Sequence, residues 1–196
     1  MKDWIGNTQA VMATLNASNH SCKEREINDY YATDPKALQL LLQVERFSNV
    51  WECACGEGHL SKVLEQKGIL SKSTDIIDRD YGDGMVDFLS NNVVEWNGDI
   101  ITNPPFRYAR EFAEKALQII PKNSKLALFL RIQFLEGVAR RSLFDNQPPK
   151  FIYVSSRNLR CAKNGDFKNA TGNASTYAWF IWEKGFKGDT VLRWFN

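Results

Sequence analysis

A doubly wound α/β sheet is the fold this sequence predicts, on three observations. Short apolar runs alternate with segments of helical period from about residue 33 to residue 182. That alternation is the pattern of parallel strands joined by crossover helices. Two glycines, Gly56 and Gly58, follow the first of those runs as a tight strand-to-helix turn. Asn103-Pro104-Pro105-Phe106 follows a later one. Two consecutive prolines lack N–H groups and have fixed φ, so the chain must stop at a strand end and hold a stiff, extended turn there. Both turns therefore fall at strand ends, the positions beyond which such sheets bind ligands.

Each element has its own warrant. Residues 1 to about 28 are polar and irregular, with a weak helical pattern around Ile5 to Leu15 and a surface-like segment from Asn16 to Asn28. Thr33-Asp34-Pro35 offers N-cap chemistry and a proline for the first turn of a helix running through Ala37, Leu38, Leu41, Leu42 and Val44. Val50 to Ala54 reads as a strand, His59 to Gln66 as a helix with Gly68 past its end, and Ser73 to Ile76 as a second strand. Val86 to Leu89 connects to a strand from Asp99 to Thr102. A helix spans Ala109 to Ile120 and ends at Pro121, and the apolar run Lys125 to Leu130 reads as an interior strand. Phe134 to Phe144 is expected as a helix, and Phe151 to Val154 and Tyr177 to Trp182 as strands. The long stretch 157–175 carries no pattern of its own, and loops of that length are functional or disordered. The expected organisation is an irregular segment 1–28 and a single domain 29–196, with 157–175 as a candidate substrate loop.

The bulk numbers exclude several classes. The chain has 196 residues, 43% hydrophobic and 24% charged, which suits a folded domain and not wholesale disorder. A formal charge of +2 permits a local basic face without arguing for nucleic acid. Cys22, Cys53, Cys55 and Cys161 show no paired C-x-x-C spacing, and His20 and His59 complete no ligand pattern, so no metal is expected. No apolar run is long enough to span a membrane and Met1 to Trp4 does not open a signal peptide, which points to reduced thiols in the cytoplasm.

Three constellations carry chemistry. Glu52-x-Ala54-Cys55-Gly56-x-Gly58 opens a helix after a strand, and its glycines admit a close ligand. It lacks both the third glycine of the dinucleotide pattern and the Lys-Ser/Thr ending of a phosphate loop, which favours a nucleoside with an amino-acid tail. Asp75, about twenty residues on with Ile76 beside it, is placed to accept ribose hydroxyls, ahead of the nearby Asp78 and Asp80 because it sits nearest the end of the apolar strand, and Asp87-Phe88 to hold an adenine amino group and ring, although Phe88 suits the core equally. Asn103 offers an amide oxygen and Phe106 an aromatic face, which suit a planar base with an exocyclic amino group. His59 fits a helix start, Cys55 a small packing residue, Trp179 and Trp182 the core, and Arg140-Arg141 a surface pair.

In this order the motifs resemble those of class I S-adenosylmethionine-dependent methyltransferases, and most of all the DNA N6-adenine methyltransferases. Tyr31-Ala32-Thr33-Asp34-Pro35 resembles their leading cofactor-tail motif, Glu52 to Gly58 the cofactor loop, Asp75 the ribose acid, and Asn103 to Phe106 the catalytic tetrapeptide. The resemblance covers roughly residues 30 to 135. It implies a Rossmann-like methyltransferase fold, a mostly parallel seven-stranded sheet with an antiparallel last strand. It implies S-adenosyl-L-methionine as cofactor, held by Tyr31, Thr33, Pro35, Glu52, Ala54, Cys55, Gly56, Gly58, Asp75, Ile76, Asp87, Phe88 and Asn103. Asn103, Pro104, Pro105 and Phe106 would form the catalytic set, with Phe106, Arg157 and Arg160 touching substrate. DNA stands ahead of RNA as partner, with a partner subunit or second copy assisting recognition, since the chain has no room for a separate recognition domain. RNA adenine, a protein glutamine amide, or a non-catalytic module on the same fold are the alternatives.

Overall fold

The structure, a computed structural model, describes residues 31–157, 159, 161–163 and 176–196. The expected helix at 5–15, Arg160 and the greater part of the candidate substrate loop lie outside the described residues. The elements in chain order are β1 (Tyr31–Thr33), α1 (Pro35–Val44), β2 (Val50–Glu52), α2 (Ser61–Gln66), β3 (Leu70–Ser73), β4 (Ile100–Thr102), α3 (Ala109–Ile119), β5 (Lys125–Arg131), α4 (Arg141–Asn146), β6 (Phe151–Val154), β7 (Cys161–Lys163), β8 (Tyr177–Glu183) and β9 (Val191–Trp194).

Seven strands form one sheet in the order β3-β2-β4-β5-β8-β6-β9. β3, β2, β4 and β5 are mutually parallel, β8 runs antiparallel to both β5 and β6, and β9 is parallel to β6. Alternation along the strands splits the core in two. Leu126, Leu128, Leu130, Ile100 and Phe180 face α3 and Leu143 of α4, while Ala127, Phe129, Ile101 and Trp179 face α1 and α2. Helices on both faces explain why β5 reads as a continuous apolar run: neither face meets water. Asp34 caps α1, accepting the Lys36 N–H at 2.9 Å, with Pro35 in the first turn as its fixed φ allows.

Asp99 ties the amino ends of the central strands together. Its carboxylate accepts the N–H groups of Ser48 (2.8 Å) and Lys125 (2.7 Å), and its carbonyl accepts that of Trp51 (2.9 Å). Four elements differ from expectation. The second strand is Leu70–Ser73, not Ser73–Ile76, because Asp75 folds its side chain back onto the Ile77 N–H at 3.0 Å and leaves one bridge, to Met85. Residues 134–144 form two 3-10 turns and the short α4 instead of one helix, since Gly137 takes φ 117° between them. The antiparallel strand β8 is interior, followed by β9, which the sequence did not suggest. Finally, β1 and β7 pair antiparallel as a small separate sheet, Tyr31 opposite Lys163 and Thr33 opposite Cys161.

Candidate active site

The chain order β2, β3, β4 places β3 on one side of β2 and β4 on the other. A crevice opens at the carboxyl ends of strands where the order reverses in this way. A cavity of about 1050 Å³ lies there. Its walls come from β1 (Tyr31, Thr33), from the end of β2 (Glu52, Ala54, Cys55), from the segment after β3 (Asp75, Ile76), from Asp87-Phe88, and from Asn103 to Phe106. The sequence motifs thus converge on one site across more than seventy residues of chain. Pro35, Gly56, Gly58 and Arg157 do not line it; Arg157 is exposed, its backbone N–H on the Ser155 hydroxyl at 3.1 Å.

Asn103 leaves β4 with its side chain fixed. The amide nitrogen donates to the Tyr31 carbonyl at 2.9 Å and to Thr33 Oγ1 at 2.9 Å. A backbone carbonyl only accepts, so the contacting atom must be the NH₂ group, and the orientation of the amide follows. Oδ1 is then buried and meets no donor among the described residues. A buried acceptor left without a partner costs roughly 1–3 kcal/mol, a deficit that a ligand donor would remove. The two prolines hold the chain extended behind it, and the 3-10 turn Phe106–Tyr108 leads into α3.

The glycine turn serves packing more than open access. Gly56 (φ 55°) gives its N–H to Asp75 Oδ2 at 2.8 Å, locking the turn to the chain beyond β3. Gly58 (φ 78°) leaves the place of a Cβ to the Tyr81 ring, which packs directly over that position. Asp75 uses one lone pair on each oxygen for Gly56 and Ile77, and each oxygen keeps a second. Beside it Ile76 is 59% exposed, an apolar side chain bare at the wall of a cavity. Asp87 accepts the Leu89 N–H at 3.0 Å. Phe88 is a core residue: it stacks on Phe112 (4.9 Å) and meets Trp51 edge-on (5.3 Å), backing the wall from within.

Burial governs the titrating groups. It raises Glu52 to about 8, against the hydrogen bond from Ser61, whose hydroxyl contacts Glu52 Oε2 and lies 2.6 Å from Ser73 Oγ. Glu52 is therefore largely neutral at pH 7. Burial pushes Cys55 up to about 11 and Cys53 well above its ordinary value, so neither is a thiolate nucleophile at neutral pH. Burial lowers His59. Among the described residues no group of three or more His, Cys, Asp or Glu could hold a metal ion.

Phe106 is half-buried in an aromatic and cationic cluster. Its ring lies 5.9 Å from Tyr31 and 5.8 Å from Tyr177, and the Arg131 guanidinium sits 4.8 Å from its centroid. Arg131, at the last position of β5, lines the cavity together with Arg107 and Tyr108. Sequence reasoning missed Arg131 because it ends an apolar run with no motif around it. The available signal was its place at a strand's carboxyl end.

No protein-family model matches the chain, and no curated protein matches its sequence. Solved structures do resemble it. A candidate class I S-adenosylmethionine-dependent methyltransferase from Listeria monocytogenes superposes with TM-score 0.56 at 15% identity, over 95% of this chain and 71% of that one. A candidate RNA methyltransferase from Pyrococcus horikoshii gives 0.55 at 14%, over 92% and 100%. A candidate O-methyltransferase from Agrobacterium tumefaciens gives 0.54 at 13%, over 82% and 84%. At these identities the likeness is one of fold. The chain has the Rossmann-like fold of class I methyltransferases, a mostly parallel seven-stranded sheet with one antiparallel strand.

Proposed function

We propose that this protein is an S-adenosylmethionine-dependent methyltransferase acting on an exocyclic amino group, that of adenine N6 in DNA. The observation that carries the reading is Asn103, with both amide donors committed to β1 and its oxygen buried and unpartnered at the cavity. The cavity fits the methyl donor by its residues. Asp75 retains acceptor capacity for ribose hydroxyls, Ile76 offers a bare apolar face for a purine, and neutral Glu52 would favour a cationic amino-acid end by giving up its proton. At about 1050 Å³ it stands at the upper end of the roughly 300–1,000 Å³ range of small-molecule sites. Bound there, the donor would supply an electrophilic methyl group whose sulfur can leave as a neutral thioether.

The chain supplies alignment. Asn103 Oδ1 and the Pro104 carbonyl accept the two N–H bonds of the amino group, which turns the nitrogen lone pair toward the methyl carbon. As the N–C bond forms, the nitrogen becomes strongly acidic, and the proton held at one of these oxygens passes to water. Phe106 packs on the base. Positioning of this kind accounts for a large part of a barrier reduction, and a 1 Å misplacement costs about a hundredfold. The test is transfer of labelled methyl to DNA, RNA and protein pools in parallel, with Asn103→Ala beside wild type and calorimetry with S-adenosylmethionine. Label should enter DNA and fall at least about a hundredfold in the variant. Label in RNA or protein alone would overturn the DNA assignment, equal activity the role of Asn103, and no heat of binding the methyl donor.

A further inference from the structure

Arg131 lines the cavity but has no part in the proposed reaction, and the chain around Phe106 shows where one is needed. Pro104 and Pro105 fix the backbone up to Phe106, but they do not reach the two side-chain torsions that set the plane of its ring. Phe106 belongs to no strand: it opens the 3-10 turn Phe106–Tyr108 and packs, partly buried, against both halves of the core. The rings of Tyr31 and Tyr177 lie beside it tilted by 36° and 41°, so neither stacks flat on it.

Arg131 brings the rigidity that the turn lacks. It ends β5, an interior strand, directly across the ladder from Tyr177 of β8. Its Nε donates to the Tyr177 hydroxyl oxygen at 3.3 Å, and the buried Tyr177 ring is itself stacked on Phe129 at 5.3 Å and 16°. The guanidinium carbon lies 4.8 Å from the Phe106 centroid and 6.0 Å from that of Tyr177. A guanidinium is planar, always charged, and attracted to an aromatic ring within about 6 Å. The sheet holds Tyr177, Tyr177 holds Arg131, and Arg131 bears on the Phe106 ring.

We propose that Arg131 is the positioning residue for Phe106, fixing the plane in which its ring meets the target base. The role rests on the base packing proposed for Phe106 and adds what keeps that ring in place. Because Arg131 acts through Phe106, its loss is felt only while the ring is present.

The test is a double-mutant cycle on methyl transfer to DNA, with Arg131→Met, Phe106→Ala and the two combined. Phe106→Ala should lower kcat/KM for DNA about tenfold to a hundredfold, the range of one base–aromatic stack. Arg131→Met keeps an apolar stem and drops the cation. It should lose about threefold to tenfold alone, and less than about twofold when added to Phe106→Ala. Arg131→Lys should restore part of the loss, and KM for S-adenosylmethionine should stay unchanged throughout. If Arg131→Met melts early, Tyr177→Phe takes its place in the cycle. That change deletes only the oxygen to which Nε donates, and should lose about twofold to tenfold with the same dependence on Phe106. A loss that repeats in full on the Phe106→Ala background would overturn positioning and make Arg131 a direct substrate contact. So would a salt slope of DNA binding lower by about one in Arg131→Met, the mark of a lost phosphate contact. Full activity in both Arg131→Met and Tyr177→Phe overturns it as well, and each of these results leaves the methyltransferase reading standing. A wild type that transfers no methyl to DNA overturns both.

Discussion

Glu52 should make the stability of this protein fall as pH rises through neutrality. It ends β2 at the cavity, 2% exposed, with the Ser61 hydroxyl on one oxygen. Burial lifts it from 4.5 to about 8, so the folded state binds its proton more tightly than the unfolded chain does. A group raised in this way contributes its full stability below the unfolded value, near 4.5, and that stability drains away as pH climbs toward about 8. Each pH unit in the window costs roughly 1.4 kcal/mol, and about 3.5 units give a span of up to about 5 kcal/mol. That is as large as the whole stability of many small domains, about 5–15 kcal/mol. Glu52→Gln keeps the shape and an acceptor for Ser61 but cannot ionise. Urea titrations of both proteins at pH 5, 6, 7, 8 and 9 should show the variant gaining on wild type steadily up to about pH 8 and then levelling. Parallel curves across that range would refute the burial argument. So would a wild type that gains on the variant with rising pH, which would mean the carboxylate is ionised and stabilised in the fold.

Other outcomes follow from single contacts. Asn103→Asp sets a carboxylate oxygen against the Tyr31 carbonyl and loses that tether, while the Thr33 hydroxyl can turn to donate to it; the change should cost about 1–3 kcal/mol in urea melts and abolish methyl transfer while the fold survives. Gly58→Ala adds a Cβ to a residue at φ 78° that meets the Tyr81 ring, and should cost about 2–3 kcal/mol. Adding Tyr81→Ala should return part of that loss, so a double-mutant cycle with no coupling would sink the packing account. Thr33→Val removes one of the two oxygen acceptors from the Asn103 amide at nearly constant volume. A tether role predicts a fall in kcat of about fivefold to tenfold, one hydrogen bond's worth, with little change in KM for S-adenosylmethionine. A change confined to that KM would instead make Thr33 a cofactor contact.

Much of the site was legible because its residues sit where backbone chemistry announces a strand end. Pro104-Pro105 cannot continue β4, and Gly56 at φ 55° cannot be replaced by a residue with a Cβ without strain, so both boundaries are written in residue type. The interior strand β5 was legible for the same reason that it is interior: seven residues between two helical layers leave no polar face. What was not legible depends on partners distant in sequence. β1 and β7 are three residues each, too short for a periodic signal, and exist only because they pair with one another. β9 leaves all four residues exposed, so no buried face marks it. Arg131 acquires its meaning from Phe106 and Tyr177, 25 and 46 residues away in the chain. Arg140-Arg141, read as a surface pair, divides: Arg141 is one, bonded to Asp145 at 2.7 Å, while Arg140 turns inward to clamp carbonyls.

The dependence of Asn103 on β1 has a consequence for how the site is assembled. The amide is oriented by Tyr31 and Thr33, and these are held by pairing with Cys161 to Lys163, which belong to the segment named as the candidate substrate loop. A two-stranded sheet of three residues per strand is marginal by itself in water. Here it is supported from below, since Asn103 donates to both ends of β1 and the Cys161 sulfur lies 3.9 Å from the same amide nitrogen. Support therefore runs both ways: β1 and β7 aim the amide, and the amide closes the small sheet against the end of β4. The oxygen that would receive the target amino group is thus set by residues drawn from three separate parts of the chain, at 31–33, 103 and 161. A rigid parallel sheet fixes where Asn103 stands, but only the added pair of strands fixes which way its amide faces. That direction, rather than the Asn-Pro-Pro-Phe turn alone, is what leaves a buried acceptor without a partner, the feature that would select for a donor on an incoming substrate.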